Sequence, residues 1–283
     1  VSLPEGIVTI GASAFWTIGM EEVDIPDSVI NIEQYAYADN KLTEVVIPDN
    51  VETIGEYAFY GNQLTKLIIS DSVEIIGNSS FAGGNQIASL TLGDSVKAIE
   101  PSAFSDNLIS SVTLPESLVS LNGFAGNKIT SIIIPDNVET IGEFTFYNNN
   151  LTTAKIGSSV QSIGNHAFYK NQLTSLTMGE SIETIGVCSF CYNKLTTITI
   201  PNSVKTIGET SFYYNQLTTI TIPNSVTTIG KEAFAFNSLT KATIGTGVTS
   251  ISEGAFMSYS NTNPKLASIV NKTGRAFNWG LII

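Results

Sequence analysis

The 283-residue chain contains one histidine and two cysteines. Two cysteines cannot frame a disulfide-stapled scaffold of this length, and a lone histidine offers little to a zinc site, which ordinarily takes four ligands. Charged residues make up only 13% of the chain, so whatever surface it presents is built mainly from uncharged polar side chains. No apolar run approaches the roughly 18 residues that a membrane span requires. The first residues also lack a basic flank followed by an apolar stretch, so neither direct membrane insertion nor an N-terminal address is expected. Phosphate-loop, H-E-x-x-H and G-x-S-x-G signatures are absent, which removes the common sequence marks of nucleotide binding, zinc proteolysis and serine hydrolysis.

The charge that is present is unevenly distributed. The formal net charge is −12, with 19 acidic and 4 basic residues in positions 1–141 against 6 acidic and 9 basic in positions 142–283. Phosphate backbones are bound by clustered Lys and Arg, so nucleic acid is not an expected partner of the acidic half. A ligand that uses that half is expected to present a basic patch.

Against these absences stands a repeat with a period of 22. An Ile or Leu, usually followed by Gly, recurs at Ile10, Ile32, Ile54, Ile76, Ile99, Leu121, Ile141, Ile163, Ile185, Ile207, Ile229 and Ile251. Units of this size bury their apolar side only against their neighbours, so the fold class expected is a repeat solenoid whose function belongs to an extended surface. The Leu217, Ile220 and Ile222 spacing is L-x-x-L-x-L and β-branched, which predicts a short strand with the intervening residues pointing out. Pro26, Pro48, Pro115, Pro135, Pro201 and Pro223 end these segments, because proline supplies no ladder donor and fixes a turn. After the turn, Val226-x-x-Ile229-Gly230 sends two more apolar residues inward, and a short Ala-Phe segment reads as one helical or 3₁₀ turn.

Two columns close each unit. An aromatic one runs Phe15, Tyr37, Phe59, Phe81, Phe104, Phe124, Phe146, Phe168, Phe190, Phe212, Phe234, Phe256. Burial of each ring is worth about 1.5–3 kcal/mol. Three residues later comes Asn40, Asn62, Asn107, Asn127, Asn149, Asn171, Asn193, Asn215 or Asn237, a side chain able to satisfy backbone groups where the chain bends. Gly83-Gly84 displaces Asn85 by one place, and Leu121-Asn122-Gly123-Phe124 is two residues short. Both irregularities fall outside the predicted strand. Residues 1–263 are therefore read as about twelve 22-residue units, and residues 264–283, including Trp279, as a degenerate capping unit.

The run Leu-Thr-x-Ile-x-Ile-Pro-x-Ser-Val-x-x-Ile-Gly-x-x-(Ala/Ser)-Phe, in residues 195–212 and 217–234, resembles the BspA-like, Treponema-type leucine-rich repeats. That resemblance implies a right-handed superhelix with a parallel β-sheet and short helical turns on the opposite side. It also implies an extracellular or cell-surface bacterial protein, some relatives being adhesins for host matrix proteins. A sortase-type Leu-Pro-x-Thr-Gly is missing.

Three groups of residues invite a functional reading. His166 and Cys188 occupy one column in adjacent units, with Cys191 just after Phe190, which could begin a nucleophilic dyad or metal site or be ordinary column variation. Asp27, Asp49, Asp71, Asp94, Glu116 and Asp136 follow the Pro-type turn position, where they could collect cations or cap the turn. The outward strand positions Glu44, Val46, Lys66, Ile68, Ser131, Ile133, Ser175, Thr177, Thr197, Thr199, Thr219 and Thr221, on the side expected to be concave, form a weakly charged face. The favoured reading is a non-catalytic, monomeric binding module without cofactor or metal that engages a protein or glycan through that face. The alternative is a structural spacer, which the near-identity of residues 195–212 and 217–234 favours.

The inward and outward assignments can be tested directly. Phe146→Ala should cost about 3–5 kcal/mol as a mid-array cavity, and Thr199→Ala no more than about 0.5 kcal/mol, in chemical denaturation. Equal losses would mean that the faces are reversed.

Overall fold

A computed structural model describes residues 3–257 and 266–278. The chain divides into two compact bodies, Val1–Val138 and Glu139–Ile283, each a parallel β-solenoid. Among the described residues there is no helix, and so none that could cross a membrane.

The ladder that recurs in every coil is not the L-x-x-L-x-L segment but the two residues ending at the repeat's Ile. In the N-terminal body Thr9–Ile10, Asn31–Ile32, Thr53–Ile54, Ile75–Ile76, Ala98–Ile99 and Ser120–Leu121 pair successively and in parallel. In the C-terminal body Thr140–Ile141, Ser162–Ile163, Thr184–Ile185, Thr206–Ile207, Thr228–Ile229 and Ser250–Ile251 do the same. The second residue of each pair is buried, apart from a half-buried Ile251, as the alternation of a strand requires. The following glycine lets coils approach closely. A Cβ on Gly186 would lie 2.7 Å from the Ile163 carbonyl oxygen and 2.8 Å from the Gly164 carbonyl carbon.

The L-x-x-L-x-L segments keep the predicted alternation but pair only in short sheets. Lys66–Ile68 pairs with Ser89–Thr91, Thr153–Lys155 with Ser175–Thr177, and Thr219–Ile222 with Lys241–Ile244, which pairs in turn with Ser268–Asn271. Residues 195–200 belong to no strand, although Leu195 and Ile200 are buried and Thr197 and Thr199 exposed. The pairing can lapse there because two other sets of inter-coil bonds hold the stacking. At the turn, the Pro carbonyl accepts the N–H of the Val three residues on, as in Pro48 to Val51 at 3.1 Å.

The expected helical turn is replaced by a pair of β-turns. Residues two before and two after the column aromatic have φ near +55°, including Tyr35 and Asp39 about Tyr37, and Cys188 and Tyr192 about Phe190. A helix would bond each N–H to a carbonyl four residues back in its own coil. Here alternate N–H groups leave the coil: Cys188 N–H donates to the Glu209 carbonyl (2.9 Å), Phe190 to Ser211 (2.8 Å) and Tyr192 to Tyr213 (2.9 Å). A left-handed non-glycine residue costs on the order of 1 kcal/mol, so these three-bond rungs offset a real penalty at every coil.

Inside the rungs the aromatic column stacks as expected, with ring centroids 5.1–5.5 Å apart from Phe15 to Phe124 and again from Phe146 to Phe256. The short coil does not break it. Phe104 and Asp106 still donate to Gly123 and Ala125, at 2.8 Å each. The asparagines are buried and bridge coils. Asn193 Nδ2 donates to the carbonyls of Phe168 (3.0 Å), Phe190 (3.1 Å) and Cys191 (3.3 Å), while its Oδ1 accepts the Leu173 N–H (3.0 Å). Asn85, one place late in sequence, makes the same set of contacts with Leu64, Phe59, Phe81 and Ala82. Beyond the array, Ser268–Asn271 extends the strand side, and Asn271 caps the following bend through Thr273 and Arg275. Trp279 lies outside the described residues.

Tyr37 is the one ring in the column that carries a hydroxyl, and its Oη is buried without a hydrogen-bond partner. Burial pushes its phenol well above the ordinary range. Tyr37→Phe keeps the shape and removes an unsatisfied polar atom, so it should stabilise the protein by about 1–2 kcal/mol in urea denaturation. A loss of stability would show that the hydroxyl has a partner.

Candidate functional site

All twelve outward residues singled out from the sequence are exposed: Glu44, Val46, Lys66, Ile68, Ser131 and Ile133 in the N-terminal body, and Ser175, Thr177, Thr197, Thr199, Thr219 and Thr221 in the C-terminal body. The structure aligns them into rows. Val46 bridges to Ile68, which pairs with Thr91, while Lys66 pairs with Ser89. In the C-terminal body Thr153 pairs with Ser175 and Lys155 with Thr177, while Thr219 pairs with Lys241 and Thr221 with Thr243.

The chemistry differs between the bodies. One outward column reads Asp24, Val46, Ile68, Thr91, Thr113 and Ile133 in the N-terminal body, but Lys155, Thr177, Thr199, Thr221, Thr243 and Val270 in the C-terminal body. Val46 is 78% exposed, Ile68 48% and Ile133 68%. These are large apolar surfaces at positions where threonine would satisfy the same strand preference without exposing a greasy patch. Glu44, Val46, Asp49, Lys66, Ile68 and Ser70 line an open depression of about 240 Å³, whose lining combines apolar side chains with both signs of charge.

In the acidic column the Asp71 side chain acts as a turn cap. Asp71 Oδ1 accepts the Asp94 N–H at 3.1 Å, and Asn224 Oδ1 accepts the Thr246 N–H at 2.9 Å in the equivalent position. The backbone carbonyls of Asp27 and Glu116 accept from Asn50 and Asn137, at 2.7 Å each. Among the described residues no group of three or more His, Cys, Asp or Glu side chains is placed to hold a metal ion.

The cysteine and histidine arrangement differs from the pairing considered from sequence. Cys188 and Cys191 form a disulfide with each other, which removes the thiolate that a Cys–His dyad requires. The cause is local. The three-residue separation spans one β-turn, in which Cys191 N–H donates to the Cys188 carbonyl at 3.3 Å. His166 packs its ring on Phe144, stacked at 4.9 Å, and edge-on to Tyr169 at 5.7 Å.

An outer aromatic band escaped the sequence reading. In the C-terminal body Phe144, Tyr147, His166, Tyr169, Tyr192, Tyr213, Tyr214 and Phe236 form a run of ring contacts along the turns, with Lys170 Nζ 5.3 Å from the Tyr169 centroid. The N-terminal body carries Trp16, Tyr35, Tyr57 and Tyr60 in the same way, with Trp16 Nε1 donating to Asp39 Oδ2 at 3.0 Å. Burial, together with Tyr57, Glu56 and Asp39 nearby, raises the Tyr35 phenol. The usable signal was a ring recurring two residues before, or one or two residues after, the Phe column in successive units. Ring faces in the best-stacked pairs cover one another, so much of what they offer to solvent is edges.

The sequence profile described as "BspA type Leucine rich repeat region (6 copies)" matches residues 8–123, 119–234 and 184–278. The chain belongs to the BspA-type leucine-rich repeat family. No curated protein matches it. Among solved structures it is similar to the pneumococcal vaccine antigen PcpA, at 22% identity over 96% of this chain and 75% of that one, with a TM-score of 0.60. A leucine-rich repeat protein from Bacteroides ovatus is also 22% identical, over 88% of this chain and 82% of that one, with a TM-score of 0.50. YopM from Yersinia enterocolitica is 16% identical over 88% of this chain and 52% of that one, with a TM-score of 0.56. At such identities the likeness to these structures concerns the fold, and the BspA-type repeat accounts for the columns described above.

Proposed function

We propose that this BspA-type domain is a non-catalytic binding module of a bacterial surface or secreted protein, engaging a protein or glycan through the outward face of its L-x-x-L-x-L segments. The observation that carries this reading is the exposed Val46, Ile68 and Ile133 column. A face evolved only for solubility has no use for three β-branched apolar side chains at threonine positions, whereas a contact surface gains area from each. Family membership supports a scaffold rather than an enzyme, and the vaccine-antigen description of PcpA supports a surface location. The acidic balance of the first half favours a partner with a basic patch over nucleic acid. Residues 264–283 are proposed to close the array as its cap.

The test is a set of immobilised extracellular-matrix proteins and a glycan array, probed with the wild type and with a Val46→Thr, Ile68→Thr, Ile133→Thr triple variant. The wild type should be retained by at least one ligand, and the triple variant should bind it at least about tenfold more weakly, equivalent to about 1.4 kcal/mol, with an unchanged unfolding midpoint. Equal binding by both would move the site off this face. A wild type that binds none of the ligands would favour a spacer.

A further inference from the structure

We propose that the Cys188–Cys191 disulfide is a thiol–disulfide exchange site, at which a low-molecular-weight thiol attacks Cys188 and Cys191 serves as the buried resolving thiol. The bond joins two residues of a single turn whose Cα atoms are 4.9 Å apart. It is not what shapes that turn. Phe144 to Tyr147, His166 to Tyr169 and Thr210 to Tyr213 build it with the same i to i+3 bond, at 3.0, 3.1 and 3.0 Å, and without sulfur. The rungs from Cys188, Phe190 and Tyr192 to the next coil are main-chain bonds that survive reduction. Asn193 likewise binds the Phe190 and Cys191 carbonyls through its own amide. A scaffold disulfide cross-links segments that would otherwise separate; this one cross-links residues already held.

The two sulfurs are not equivalent. Cys191 is 0% exposed, and its Sγ lies 3.1 Å from the Cys188 carbonyl oxygen. Cys188 is half-buried, at a left-handed position of the outer row, next to an exposed Val187. Exchange rates depend on access to the sulfur attacked and on the departing thiolate. Access sorts the pair: the half-buried Cys188 is the sulfur that a small thiolate can reach, and the fully buried Cys191 is the one left to depart. Once protonated, the departing thiol has an acceptor in position at the Cys188 carbonyl.

The chemistry closes with the thiol as sole co-reactant. A small-molecule thiolate uses its electron pair to form a bond to Cys188 Sγ. The Cys188–Cys191 bond breaks, its electrons leave on Cys191 Sγ, and that sulfur takes a proton from water. The product is a mixed disulfide on Cys188 beside a free Cys191 thiol. A second thiolate attacks the small-molecule sulfur of the mixed disulfide, releasing Cys188 as a thiol and oxidising two small thiols to their disulfide. Attack by Cys191 thiolate on Cys188 Sγ instead expels the first thiol and restores the protein bond.

Glutathione is the probe. In the full chain, Cys191→Ser treated with oxidised glutathione should gain one glutathione per chain at least about tenfold faster than Cys188→Ser, read by intact mass. Reduced glutathione should open the wild-type bond with circular dichroism and the unfolding midpoint still those of the folded protein. Peptide mapping of the quenched wild-type reaction should place the mixed disulfide on Cys188, which tests the assignment even if a variant folds poorly. Equal labelling of the two variants, an adduct mapped to Cys191, or a wild-type bond that opens only on unfolding would each overturn the proposal.

Discussion

The structure depends on a buried carboxamide. Each column asparagine sits where the chain turns back toward the strand side, in a place where water cannot reach the backbone. Its amide group donates to carbonyls of its own coil and the one before, and its oxygen takes an N–H of the preceding coil. No other neutral side chain of that length offers a donor and an acceptor at once, apart from the hydroxyls, which are too short to bridge coils. A buried amide or carbonyl left unpaired costs about 1–3 kcal/mol, so the bend can be buried only if this residue, or its equal, occupies it.

Once the bend is held, the remaining geometry follows. Coils stacked at strand spacing bring the Phe rings into register, and the turn beside them can send alternate N–H groups to the next coil. That demand forces non-glycine residues such as Thr210 and Tyr35 into left-handed conformations. Residues flanking the column ring thereby form outer rows, which carry the aromatic band in both bodies and Cys188 in one. The L-x-x-L-x-L segment still fills the core with its inward residues, but its backbone pairing is not what holds the coils and lapses in places such as residues 195–200. An element whose pairing need not hold the stack is free to vary its outward residues, which is where Val46, Ile68 and Ile133 appear.

Much of this was legible in the sequence because burial repeats with the unit. Ile54, Phe59 and Asn62 each belong to a column whose members share one environment, so the pattern is read again in unit after unit. The outward positions were legible for the same reason, since strand alternation fixes which residues face water. Other features carried weaker signals. A left-handed residue is announced by glycine when glycine is present, as at Gly61, but not by His166, Thr210 or Phe236, so the turn read as helical. The continuous ladder rests on two residues per coil, too few for β-propensity to mark against the longer and more β-branched L-x-x-L-x-L segment. Cys188 and Cys191 were weighed against a histidine one coil away, whereas the decisive neighbour was three residues along the same turn.

The asparagine's donor, rather than its volume, is the source of stability at the bend, and Asn193 is the place to measure it. Asn193→Asp keeps the shape and an acceptor for the Leu173 N–H but sets a carboxylate oxygen against the carbonyls of Phe168 and Phe190. In urea denaturation at neutral pH it should lose at least as much stability as Asn193→Ala, whose expected loss is about 2–4 kcal/mol. An aspartate variant within about 0.5 kcal/mol of the wild type, beside a destabilised alanine variant, would mean that packing holds the bend and that the carboxamide bridge is incidental.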